Sequence, residues 1–249
     1  MTKIEHLLKF IRFLLFVPVI TTLSKQSHAD YLQGCDDPEY LEYIDQRFTY
    51  LDSRSRRLLN DTLQDYQLSL SNHSNPYKVL NVLSRHIKYS AQFEPIEIAE
   101  FKIERAFDVA NKMSIEQQIA GDVYDGFSSE NHSVDIARAW IAYRKGDLKK
   151  AFNALHNSIN DIDSAFLSAF GPDFDLVRQL YNDGFVEPVV AYIKKTELFW
   201  IGKRPNTLRS AWLNMIKAGC KIQFDSIDTI KAKQLGLTVI DVQKALGFD

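Results

Sequence analysis

Side chains able to do chemistry are few and scattered in this sequence. Beyond residue 29 the chain has four histidines, His73, His86, His132 and His156, and two cysteines, Cys35 and Cys220. Histidines four apart on a helix, or a CxxC pair, would offer a metal adjacent ligands. Neither pattern occurs, so no metal site is expected. There is also no G-x-S-x-G nucleophile elbow and no G-x-x-x-x-G-K-[ST] phosphate loop. His86, at the edge of an apolar helical face, reads as a core or boundary residue. We therefore expect no catalytic residue and no cofactor.

Two further groups of residues matter. Glu94 and Glu187 each precede a proline, with Glu97 and Glu100 close to the first. A helical cell-wall hydrolase would need one such carboxyl as a general acid in a cleft. That is the alternative reading, although the Glu-Ser pair typical of lytic transglycosylases is absent. The other group is Tyr192, Lys194, Lys195, Trp200, Lys203 and Arg204, a basic and aromatic cluster in an acidic chain. Aromatic and basic anchors are what protein interfaces favour. These six form the expected contact surface for a protein or peptide partner of acidic character. The competing reading makes Trp200 and Trp212 core and the lysines a solvated face.

The amino terminus bears on compartment. Lys3, Lys9 and Arg12 precede the apolar run Phe13 to Leu23, and Ser27-His28-Ala29 offers a small-x-small cleavage site. Residues 1–29 therefore read as a signal peptide, since the run is shorter than the ~20 residues of a membrane span. Its removal takes away four basic residues and one acidic one. The remainder carries 26 basic and 31 acidic residues, a net of −5 against −2 for the whole chain. That charge gives no general attraction for nucleic acid. An exported chain with two cysteines near opposite ends invites a Cys35–Cys220 disulfide. Leu32-Gln33-Gly34-Cys35 also resembles a lipobox, so a lipoprotein anchored at Cys35 is the alternative to a periplasmic or secreted protein.

The elements that must position these residues are helices throughout, and no strand alternation of useful length appears. Pro38 opens a helix with Leu41, Ile44, Phe48 and Leu51 on one face. Ser53 is expected to cap a second, carrying Leu59, Leu63, Tyr66 and Leu70, with Arg54, Arg56 and Arg57 set against its dipole. Pro76 opens a helix with Val79, Leu80, Leu83 and Ile87, and Pro95 another with Ala99, Ile103, Ala106, Phe107 and Ala110 buried. Ser114 to Gln117 reads as a capping box, residues 126–131 as a loop, Ser133 as a cap, and Ser226 and Thr238 as starts of small closing helices.

Two hairpins follow one another with a shift of 38 residues. Tyr143 matches Tyr181, Gly146 matches Gly184, Leu148 matches Val186 and Leu155 matches Ile193. At Ala139, Gly146-Asp147, Ala151 and Leu155 the chain resembles a tetratricopeptide (TPR) repeat, with Ala142 at the usual aromatic position and Ser158 at a usual alanine. Asp175 to Gly219 is similar to the tail of exported bacterial TPR-like proteins. The resemblance implies a right-handed stack of helical hairpins and a scaffold or protein-binding role, with no catalytic residues to carry over.

The expected architecture is all-α: signal peptide 1–29, helical region 30–132, TPR-like hairpins 133–220 and capping helices 221–249. The expected function is an exported protein that binds a protein or peptide partner, as adaptor, assembly factor or inhibitor of the immunity type. No nucleic-acid partner and no stable membrane span after cleavage are expected.

Overall fold

A computed structural model describes residues 34–72, 74–120 and 128–237. The proposed signal peptide, His73 and the Thr238 start lie outside them. All regular structure among the described residues is helical. The helices are α1 (Pro38–Ser71), α2 (Pro76–Phe93), α3 (Ile96–Ala120), α4 (Ser128–Arg144), α5 (Leu148–Asn157), α6 (Ala165–Phe170), α7 (Asp175–Asn182), α8 (Val186–Lys195), α9 (Lys203–Lys217) and α10 (Ile227–Gln234). A 3-10 turn, Thr196–Leu198, follows α8. The all-α expectation holds. None of the described helices is long and apolar enough to cross a membrane.

Two helices carry the packing. α2 touches α1, α3 and α4, while α4 also touches α5, α6 and α7. α2 can sit between neighbours because it is apolar on several sides: Leu83, Ile87 and Ala91 are fully buried. Asn75 caps its start by accepting from Lys78 N at 2.9 Å, with Pro76 at the first position.

The first half of the chain departs from expectation at its breaks. Ser53 does not begin a helix: α1 is continuous over 34 residues. Ile44 is buried as expected, but beyond it the buried positions are Ser55, Thr62 and Ser69, seven apart, while Leu70 is 45% exposed. The small hydroxyl residues let α2 approach closely. Thr62 and Ser69 satisfy their hydroxyls on the carbonyls of Leu58 (2.6 Å) and Tyr66 (2.7 Å). Because α1 is unbroken, the three arginines sit mid-helix and oppose no helix start. Arg56 pairs with Asp52 at 2.8 Å and lies over the Phe93 ring.

Ser114 likewise starts nothing, since α3 runs on to Ala120. Phe107 is not part of the buried stripe; it faces outward beneath the Arg138 guanidinium at 4.8 Å. α4 begins at Ser128, within the stretch expected to be a loop, and Ser133 lies inside it, bonded to Ser129 O at 2.9 Å. Inside a continuous helix a capping side chain has no free N–H groups to satisfy, so the Ser133 hydroxyl bonds back to the preceding turn instead.

The hairpins are clearer. Gly146 and Gly184 both have positive φ, 77° and 89°, and close matching turns. Asp147 N donates to Ala142 O and Phe185 N to Leu180 O, each at 2.9 Å. Cys220 N to Met215 O (2.9 Å) and Leu237 N to Ala232 O (2.9 Å) repeat the bond at the ends of α9 and α10, again around positive-φ glycines. This is the Schellman closure that glycine permits without a Cβ clash.

Behind α7 and α9 lies an aromatic core. Phe174 meets Trp212 at 4.8 Å and stacks on Phe224 at 5.9 Å, and Trp200 stacks on Trp212 at 6.3 Å. The two ends of the described chain join there. Cys35 and Cys220 are disulfide-bonded, with Cα atoms 4.9 Å apart and both residues buried. Tyr40 donates to Lys221 O at 2.6 Å, and Arg47 pairs with Asp225 at 3.1 Å.

Candidate functional site

Of the six residues expected to form a contact surface, Tyr192 is buried, Lys195 and Trp200 are half-buried, and the other three are exposed. Tyr192 is fully buried; its hydroxyl donates to Asp173 O at 3.2 Å, and burial pushes its pKa far above the usual range. Lys195 is a strut between α8 and α5, donating to His156 O at 2.8 Å and to Asn160 Oδ1. Trp200 is half-buried over Gly171, where a Cβ would meet its ring at 2.6 Å. Lys194, Lys203 and Arg204 alone are exposed, Lys194 in the last turn of α8 and the other two in the first turn of α9. With its aromatic members in the core, the cluster no longer argues for an acidic partner.

The expected hydrolase carboxyl is also spoken for. Burial alone would raise Glu94, but hydrogen bonds from Lys102 and Ser90 and the Lys102 charge outweigh it and hold it below the usual carboxylate range. A general acid needs the opposite shift. Lys102 also donates to His86 Nε2 at 2.7 Å, so Nδ1 carries the imidazole proton and meets Thr62 Oγ1 at 3.0 Å. Burial and the Lys102 charge bring His86 down to about 4. His86 is thus the satisfied core residue its position indicated. Glu187 and Glu97 are exposed in the first turns of α8 and α3.

What the fold builds instead is a groove of about 710 Å³ running over α4 between α3 and α5. Its floor is Ile103, Ile141, Ala142 and Ala154. Its walls carry four carboxylates (Glu100, Glu104, Asp135, Asp147) and three cations (Arg138, Lys145, Lys150), with Asn153 and Asn157 from α5. The cations are matched internally: Lys145 to Glu100 at 2.5 Å, Arg138 to Asp135 at 3.1 Å and Lys150 to Asp147 at 3.3 Å. Glu104 is the carboxylate in excess. Such exposed and partly exposed pairs are weak, so they can exchange partners with a ligand at little cost.

The groove positions were present in the sequence as stripes: 100, 103 and 104 on α3, 135, 138 and 142 on α4 with 145 just past its end, and 150, 154 and 157 on α5 with 147 at its N-cap. Each follows helical spacing. A mixed-charge stripe reads as a solvated face until the fold shows three of them converging.

His132 is similarly absorbed by structure. Asp173 N–H donates to its Nε2 at 3.1 Å, which places the imidazole proton on Nδ1, facing Ser158 O at 2.8 Å. Among the described residues no group of three or more His, Cys, Asp or Glu side chains is arranged to hold a metal ion. No known family, curated protein or solved structure matches this chain.

Proposed function

We propose that this chain is an exported, TPR-like helical protein that holds a segment of another protein in the groove over α4, acting as an adaptor, assembly factor or inhibitor. The groove's composition is the observation that carries the reading. Its apolar floor suits aliphatic side chains, and Asn153 and Asn157 offer amide donors and acceptors to an extended backbone. Its ions, already paired, favour a partner of mixed charge rather than a strongly acidic one, and the excess Glu104 fits a Lys or Arg of that partner. The matching Gly146 and Gly184 turns support the repeat reading, because each hairpin presents the same closure to its neighbour. The Cys35–Cys220 bond supports an oxidising compartment. A sulfur in a disulfide cannot also carry a lipid thioether, so the bond disfavours anchoring at Cys35.

The test is affinity capture from the native compartment with wild-type protein and with Ala154→Arg, which fills the groove from its floor and whose folding is checked by circular dichroism. A single stoichiometric partner retained by the wild type and lost by the variant is expected. Equal recovery by both would refute the groove as its site.

A further inference from the structure

A second concavity, of about 310 Å³, opens on another side of the molecule between α2, the start of α4, α6 and the 171–173 turn. Its volume lies within the range of small-ligand sites. Arg85 and Lys88, three apart on α2, supply cations, and Ile136, Phe166 and Pro172 supply the apolar wall.

The charges in this cavity are committed unevenly. Asp173 Oδ2 is held by Lys88 at 2.6 Å, and its Oδ1 accepts from Asp175 N at 2.8 Å. Burial alone would raise Asp173, but the Lys88 charge and hydrogen bond hold its carboxyl well below the usual carboxylate range. Lys88 has three N–H donors and directs one to Asp173, over the face of the Tyr89 ring at 4.8 Å. Arg85 meets Asp65 only at 3.9 Å, with both side chains 55% exposed, so that contact restrains it little. His132 is neutral, because burial lowers its pKa and both ring nitrogens face backbone groups. The lining therefore carries one positive charge in excess. Phe166 continues the apolar wall outward to Phe170, 5.5 Å away between ring centroids and 75% exposed.

We propose that this cavity binds a small organic carboxylate with an apolar body, the carboxylate on Arg85 and Lys88 and the body against Ile136, Phe166 and Pro172. Two sources present that chemistry, a free aromatic or acyl acid and the C-terminal residue of a polypeptide. The site is independent of the groove over α4.

Heteronuclear NMR titration of the disulfide-bonded protein with phenylacetate tests the proposal. Saturable shifts confined to α2, the start of α4 and α6 are expected, at millimolar concentration or below. Arg85→Glu and Phe166→Ala, both at exposed positions, should each bind about fivefold more weakly or worse. A short peptide ending in phenylalanine, compared with its C-terminal amide, separates the sources. Tighter binding of the acid peptide than of phenylacetate assigns a polypeptide end; binding of phenylacetate alone assigns a free acid. If neither probe gives saturable shifts, or if Arg85→Glu binds as well as wild type, the proposal fails.

Discussion

The Tyr181 hydroxyl donates to the Cys220 carbonyl at 2.7 Å. Its counterpart Tyr143, thirty-eight residues earlier, donates to Asp183. Each tyrosine ends the first helix of a hairpin and reaches the turn that ends the next such helix, beside Gly184 or Gly219. The two tyrosines thus tie neighbouring helix ends, one through a carboxylate and the other through a backbone carbonyl, and the second contact lands on the residue that the disulfide joins to Cys35.

Removing the two hydroxyls should separate the links. Tyr181→Phe leaves a buried carbonyl without this donor and should cost about 1–2 kcal/mol. Tyr143→Phe, at a partly exposed contact with an exposed aspartate, should cost a few tenths. Urea unfolding of both variants checks the order; equal losses would mean that the two tyrosines are not graded by burial.

Replacing both cysteines with alanine should lower stability by about 3–5 kcal/mol in the chain-entropy view, because the bond closes a loop of 185 residues. Far-UV circular dichroism should be nearly unchanged, since the helices do not depend on the bond. An unaltered urea midpoint would show that the ends are held by Tyr40, Arg47 and packing alone.

The Lys88–Asp173 pair should behave as a buried ion pair. Lys88→Met strands a carboxylate and should cost about 3–5 kcal/mol, whereas Lys88→Met with Asp173→Asn should recover much of it. A double variant no more stable than the single one would contradict this account.

His86 predicts a pH dependence. Its folded pKa, about 4, lies below the unfolded value near 6.5, so the unfolded state binds more protons between them. The stability contributed by neutral His86 is complete above about pH 6.5 and is lost as pH falls toward 4, by on the order of 3 kcal/mol. Asp228 works in the opposite sense. Burial raises its carboxyl to about 7, so its contribution is largest below the unfolded value near 4 and declines as pH rises toward 7. The two should partly cancel in the wild type. Asp228→Asn should therefore steepen the loss of stability on acidification, and His86→Gln should flatten or reverse it, both measured by urea unfolding from pH 7 to 4.

Much of this was legible in the sequence, and the reason differs by region. The α2 stripe, the hairpin glycines and Trp212 in the core follow from apolar periodicity and from φ > 0 at helix ends, both of which are local. The Cys35–Cys220 bond was one of the alternatives that two cysteines in a chain expected to be exported left open. The continuity of α1 was hidden because Ser55, Thr62 and Ser69 look like surface residues until α2 lies against them. The basic and aromatic cluster was only partly legible for a related reason: Tyr192 clusters in sequence with lysines, yet its ring is buried and Trp200 is half-buried, while Lys194, Lys203 and Arg204 turn out. The groove over α4 forms only where three consecutive helices converge, which no single stripe reveals.

We propose that a polypeptide segment occupies that groove. A photo-crosslinking residue placed at Asn153, facing the groove, and another at Asn81, exposed on α2, would test it most directly in the native compartment. We predict one adduct from position 153, mapping to a single segment of one protein and disappearing with Ala154→Arg. Equal adducts from both positions, or adducts indifferent to Ala154→Arg, would contradict it.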